Sequence, residues 1–319
     1  MFSIGALVLV AALPVAAQAP QRIWSIGFLH VGDDHVPPAY RPLLDAMSEL
    51  GYRDGDTVRY DFRNVPNEKI ALEAARDLVR KPVDLIVAFD QEACGAAHIA
   101  THSVPIVMVH ASNPLAAGFA KTLSHPGGNM TGFAGRALLI AKELELLKEL
   151  APKLKRALLL FDSGDSASVA GRDEARNAAR KLAVTLVERD VSDTASLKAV
   201  FARLKPKEVE AVITASYVIR HRFQKLVLQL ATEKGIAMIG SRKDVVEQGA
   251  LFTYAYDFAK VGRATPSRYI VPILRGAKAG ELPIEEVTDN ELVVNREVAN
   301  RHGWPLPQSI LLRTAQVIE

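Results

Sequence analysis

The chain has 319 residues, 49% hydrophobic and 24% charged, with a formal net charge of +3. That length and apolar content suit a globular protein with one large core or two smaller ones, and the mild, dispersed charge argues against nucleic acid as a partner. A single cysteine, Cys94, excludes an intramolecular disulfide framework.

From Gly5 to Ala16 the sequence is apolar, and no charged side chain precedes Arg22. The stretch is too short for a membrane span and ends in Ala17-Gln18-Ala19, a small-x-small cleavage pattern. It predicts an export signal over 1–19, a mature chain beginning near Pro20, and a periplasmic location. No second apolar stretch approaches membrane-spanning length.

Downstream, strand-like runs rich in Val, Ile and Leu occupy Arg22–Val31, Thr57–Asn64, Val83–Phe89 and Ile106–His110. Helical patterns lie between them: Pro37–Leu50 closes on Gly51, and Glu68–Arg80 stops before Pro82. The pattern then repeats, with strands at Lys155–Phe161, Val184–Asp190, Val209–Thr214 and Ile236–Gly240. Helices at Leu138–Leu150, Asp165–Leu182 and Tyr217–Lys234 serve this second block. Buried parallel strands of βαβ units read in this way. A third segment differs: Leu251–Ala255 is strand-like, Asp257–Leu274 helical, Glu291–Asn295 strand-like and Arg296–His302 a short helix. The expectation is an α/β protein of two Rossmann-like lobes with parallel sheets and a cleft between them. Ligands of open parallel sheets sit beyond the carboxyl ends of the strands, so the lobes offer two facing edges to one site.

Between the blocks stands Pro126-Gly127-Gly128-Asn129-Met130-Thr131-Gly132. Its two glycines and asparagine suit a sharp reversal that is structural rather than phosphate-binding. The motif resembles the "PGGN-apolar-TG" signature of ABC-transporter substrate-binding proteins of the tryptophan/tyrosine-binding type. Four further blocks carry the resemblance in order: Leu50–Gly55, Leu144–Leu150, Val246–Leu251 and Glu291–Asn295. The resemblance implies a type I periplasmic binding fold, three hinge crossovers, and a small solute passed to a membrane permease driven by a separate ATPase. The crossovers are placed near Thr131–Gly135, Tyr254–Asp257 and Val287–Asn290. Lobe 1 is then 20–133 plus 256–288, and lobe 2 is 134–255 plus 289–319, in a monomer.

The pocket is expected on the loops after the strands. In lobe 1 these carry His30, then Phe89, Asp90 and Gln91, then His110, Ala111 and Ser112. In lobe 2 they carry Asp162 and Ser163, then Ser216 and Tyr217, then Ser241. Each loop precedes a helix, where free backbone N–H groups favour a carboxylate, and the same residues also serve as helix caps. Ser112 or Ser163 is expected to meet a carboxylate, and Asp90 an ammonium. Relative to the family pattern, Phe89-Asp90-Gln91 replaces a Gly-Thr-type turn, and Ser112-Asn113-Pro114 lacks the acid of Gly-Asp-Pro. The ligand is therefore an amino acid or related carboxylate of open identity.

Other functions find less support in the residues. Gly164-Asp165-Ser166 after a strand resembles the opening of a GDS-type esterase with Ser166 as nucleophile, but none of the eight histidines has an Asp three residues before it. Cys94, His98 and His102 share one helical face, yet the outer two lie roughly 12 Å apart along a helix and cannot join one ion. Neither a G-x-G-x-x-G after the first strand nor a P-loop occurs, so no nucleotide cofactor and no metal are expected. A sensor domain feeding a signalling partner shares the fold and stands as the alternative to a carrier.

Overall fold

The computed structural model describes residues 22–32, 36–135 and 139–319, with the backbone alone at 166, 167, 217, 218 and 221. The expected export signal lies outside the described residues.

The first half builds β1 (Trp24–Val31), α1 (Tyr40–Glu49), β2 (Val58–Val65), α2 (Glu68–Arg80), β3 (Leu85–Ala88), α3 (Gln91–Ala100), β4 (Ile106–Ala111) and β5 (Met130–Gly135). The second half builds α4 (Ile140–Leu150), β6 (Arg156–Phe161), α5 (Ser166–Lys181), β7 (Thr185–Asp190), α6 (Thr194–Arg203), β8 (Ala211–Thr214), α7 (Tyr217–Arg222), α8 (Gln224–Glu233), β9 (Ala237–Met238) and α9 (Lys243–Glu247). The remainder crosses back and forth through β10 (Phe252–Tyr256), α10 (Phe258–Thr265), α11 (Val271–Leu274), β11 (Glu285–Val287), β12 (Asn290–Asn295), α12 (Arg296–Arg301), α13 (Gln308–Leu311) and β13 (Thr314–Ile318). A single π turn, Pro266–Ile270, joins α10 to α11.

A six-stranded parallel sheet has the order β11-β5-β4-β3-β1-β2, and a four-stranded parallel sheet has the order β7-β6-β8-β9. The Ile239↔Phe252 bridge joins the latter to a three-stranded sheet, β10-β12-β13. Both main sheets are covered on both faces, as near-continuous apolar strands require. Phe28, Val87 and Tyr269 pack on one side of the first sheet and Leu29, Ile86 and Met108 on the other. Leu159, Ile213 and Phe252 oppose Leu158, Leu160 and Val212 in the second.

The segment expected as the first crossover is β5 itself, and the chain leaves lobe 1 after it. Gly132 sits at φ +132° opposite Met108, where a Cβ would lie 2.1 Å from the Met108 carbonyl oxygen. The turn before it is structural, as expected. Gly127 has φ +73° and donates its N–H to the Gly280 carbonyl at 3.0 Å. The Asn129 amide donates to the carbonyls of Thr101 and Val104 at 3.1 and 2.7 Å. The expected helix 217–234 is broken at Phe223 into α7 and α8.

Candidate functional site

At the carboxyl edge of the six-stranded sheet, four strand ends are strapped together by side chains. Asp90 caps α3 by accepting the Ala93 N–H on Oδ1 at 2.8 Å, and its Oδ2 accepts the Val31 N–H at 2.8 Å. Gln91 Oε1 accepts the Ser112 N–H at 2.9 Å. His30 shares a hydrogen bond between Nδ1 and Asn64 Oδ1 at 2.9 Å, and its Nε2 lies 3.8 Å from Asp90 Oδ2. The structure thus brings His30, Phe89, Asp90, Gln91, His110, Ala111 and Ser112 to one edge, with His30, Phe89, Asp90, His110 and Ala111 buried.

Aromatic rings line this edge. Tyr40 stacks on Phe62 at 4.5 Å between centroids, and Phe89 meets Tyr40 edge-on at 5.9 Å and His30 at 6.4 Å. Towards the crossover, the Tyr256 hydroxyl hydrogen-bonds His110, and Phe258 lies 4.7 Å from the Tyr256 ring. A Cβ on Gly135 would meet both His110 and Tyr256 at 2.7 Å, which fixes the small residue there.

On the facing lobe the predicted residues are also engaged. Asp162 Oδ1 accepts the Gly164 N–H at 2.8 Å, and the Ser163 hydroxyl donates to Asp190. Ser216 caps α7 by accepting the Ile219 N–H at 3.3 Å. The Ser241 hydroxyl hydrogen-bonds the Gln224 side chain. The side chains of Tyr217 and Ser166 lie outside the described residues. Behind these loops, Glu143 of α4 and Arg220 of α7 form a buried bidentate pair, the two side chains 1% and 9% exposed.

Sequence reasoning missed Arg242, Tyr256, Tyr40 and Phe62. Arg242 follows Ser241, with a side chain only 11% exposed. Burial lowers the His30 imidazole pKa, the hydrogen bond to Asn64 opposes that, and the Arg242 charge on the other lobe adds a smaller lowering. One signal was available for Arg242: a cation two residues beyond a predicted strand end.

Burial sets the electrostatics. It pushes the Asp90 carboxyl up to about 6 against hydrogen bonds from the backbone of Val31, Ala93 and Glu92 and from the Glu92 side chain, which lower it, and, with Asp90 beside it, pushes Glu92 up to about 7. It holds His110 down at about 4. A carboxyl whose folded-state pKa is raised stabilises the fold fully below its unfolded pKa, and that contribution disappears as pH rises through the folded value. The Asp90–Glu92 contribution is therefore expected to decline between about pH 4 and pH 7. Urea melts of Glu92→Gln across that window should show a stability less inclined to fall with pH than wild type, and identical slopes would refute the assignment.

Because both Asp90 oxygens are occupied, Asp90→Asn places an amide N–H₂ against a backbone donor. A loss of about 1–3 kcal/mol in urea unfolding is expected. Unchanged stability with weakened amino-acid binding would instead return Asp90 to the role of ammonium partner.

The family model for ABC transporter substrate binding proteins matches residues 30–318. A tyrosine-binding protein of Clostridioides difficile (strain R20291) is 29% identical over 261 residues, 81% of this chain and 74% of that protein. The structure of an ABC domain in complex with L-Trp from Streptococcus pneumonia superposes with a TM-score of 0.81 at 26% identity, covering 93% of this chain and all (100%) of that one. A ligand-free, open structure of a substrate binding protein with adhesive properties from Clostridium difficile gives a TM-score of 0.69 at 26% identity, over 92% of this chain and 99% of that one. With two α/β lobes of type I periplasmic binding architecture and a family match that runs from the first strand to the last, this chain belongs to the ABC transporter substrate-binding proteins.

Proposed function

We propose that this protein captures an amino acid between its lobes, an aromatic one first among the solutes to test, and delivers it to a membrane permease driven by a separate ATPase. The carrying observation is the pair of rings Tyr256 and Phe258 lining the cavity at the crossover, with the aromatic cluster Tyr40, Phe62 and Phe89 packed in the core of lobe 1. Such rings offer large apolar faces to a planar side chain. The tyrosine-binding relative and the L-Trp complex support this ligand class.

The lobes divide after residues 135, 256 and 288 and move as rigid bodies about those passages. The protein acts as a monomer outside the cytoplasm, catalyses no reaction, and begins at Pro20 after cleavage behind Ala19. Among the described residues no helix is long and apolar enough to cross a membrane. Isothermal titration of the mature protein with L-tyrosine, L-tryptophan and aliphatic amino acids tests the reading. Saturable binding of one of them, with a smaller radius of gyration by small-angle scattering, is the expected result. Absence of binding to every amino acid would sink it.

A further inference from the structure

Arg242 is held as if to present a charge. It stands between β9 and α9, and two neighbours fix its guanidinium. Nε and Nη2 donate to the Asp244 carboxylate at 2.9 and 2.8 Å. With the Gln224 amide nitrogen turned to Ser241 and its oxygen turned to the arginine, Nη1 and Nη2 also donate to Gln224 at 3.2 and 3.0 Å. Gln224 is itself buried, 3% exposed, and donates to the Arg220 carbonyl at 3.0 Å. A guanidinium has five N–H groups, so this arrangement leaves one on Nη1.

The same side chain lines a cavity of about 580 Å³ bounded by both lobes, with Pro38 and Phe258 on one wall, Arg242 on the other, and Thr253, Tyr256 and Val293 at the crossover strands. Three cations border that space. Lys243 and Lys260 are more than half exposed and paired with Glu247 and Glu291, whereas Arg242 is the most covered of the three. Asp244, 46% exposed, is open to solvent screening and serves to orient the fork rather than to cancel it. Of the serines expected to meet an anion, Ser163 has its hydroxyl on Asp190, and Ser112 has its backbone N–H on Gln91.

We propose that Arg242 carries the carboxylate of the captured amino acid, on the lobe facing His30, so that the carboxylate is gripped when the lobes are together. This rests on the reading of the protein as an amino-acid carrier. The side chain of the solute then lies along Tyr256 and Phe258. A planar, largely covered guanidinium suits carboxylate geometry better than a lysine ammonium does.

The test compares L-tyrosine with L-tyrosinamide, in which a neutral amide replaces the carboxylate, by titration calorimetry on wild type, Arg242→Gln and Arg242→Lys. Wild type should prefer tyrosine by ten- to a hundredfold, the range of one hydrogen bond to a charged group. Arg242→Gln should lose that factor for tyrosine and bind tyrosinamide within about threefold of wild type, so the preference collapses. Arg242→Lys keeps the charge without the fork and should retain part of the preference. It is also the variant to read should Arg242→Gln fail to fold. A preference preserved in Arg242→Gln, or in full in Arg242→Lys, overturns the proposal while leaving the carrier reading intact. A wild type that binds neither compound removes the aromatic carrier reading and this inference with it.

Discussion

Arg220→Met is expected to lower unfolding stability by about 3–5 kcal/mol, the cost of leaving one member of a buried ion pair without its partner. Glu143 is 1% exposed and would remain without a counter-charge behind the lobe-2 loops. Arg220 also donates to the Gly240 carbonyl at 3.3 Å, so its loss loosens the strand end that leads to Ser241 and Arg242. Urea unfolding of wild type, Arg220→Met and the double variant Glu143→Leu/Arg220→Met measures this. The double variant should recover most of the loss, because two apolar side chains avoid the desolvation of both charges. A single variant within about 1 kcal/mol of wild type would show that water reaches Glu143 and replaces the arginine.

Gly132→Ala is expected to cost about 2–5 kcal/mol, summing backbone strain and overpacking. At φ +132° an L side chain is disfavoured, and the added methyl would meet the Met108 carbonyl at 2.1 Å. The obstacle is backbone in the next strand of the sheet, which cannot rotate away as a side chain can. A chemical-denaturation midpoint equal to wild type would mean that β4 and β5 shift apart without loss of pairing. Such a result would contradict the register Met108↔Gly132.

The strands that could be read in advance are those whose burial on both faces demands unbroken Val, Ile and Leu, such as β1, β3, β4, β6 and β8. Those that escaped lie where other demands dominate. In Met130–Gly135 the glycines at 132 and 135 are required by close approach, and they make a strand look like part of the turn before it. Glu285–Val287 is a three-residue edge strand with two acids, and Thr314–Ile318 is a half-exposed strand, so neither carries an apolar signature. The site shows the same split. Topology alone placed the strand-end loops, but a carboxylate's accessibility depends on which backbone N–H groups point at it. The cap from Asp90 to Ala93 was legible as an alternative, but no spacing in the sequence revealed that the Val31 N–H occupies its other oxygen. Arg242 escaped because Arg242-Lys243-Asp244 reads as a solvated charge run, whereas Gln224, eighteen residues upstream, is what draws the guanidinium inward.

The six-stranded sheet ends on β11, contributed by residues that follow the whole of the second block in the chain. The hydrogen bond from the Thr131 hydroxyl to the Leu282 carbonyl closes a span of 151 residues. Until that span closes, β5 is a bare edge with its amides unpaired on one side, and the face later covered by Tyr269, Ile270 and Leu274 is open to water. The four-stranded sheet, by contrast, draws its strands from one continuous stretch, 156–238. Loop-closure entropy and contact order then set a sequence in time: the four-stranded sheet pairs from its own contiguous residues, while the six-stranded sheet waits for the chain to return. The species that accumulates in a slow refolding therefore has its four-stranded sheet paired while the six-stranded one still lacks its last strand, and aggregation should begin at the open edge of β5.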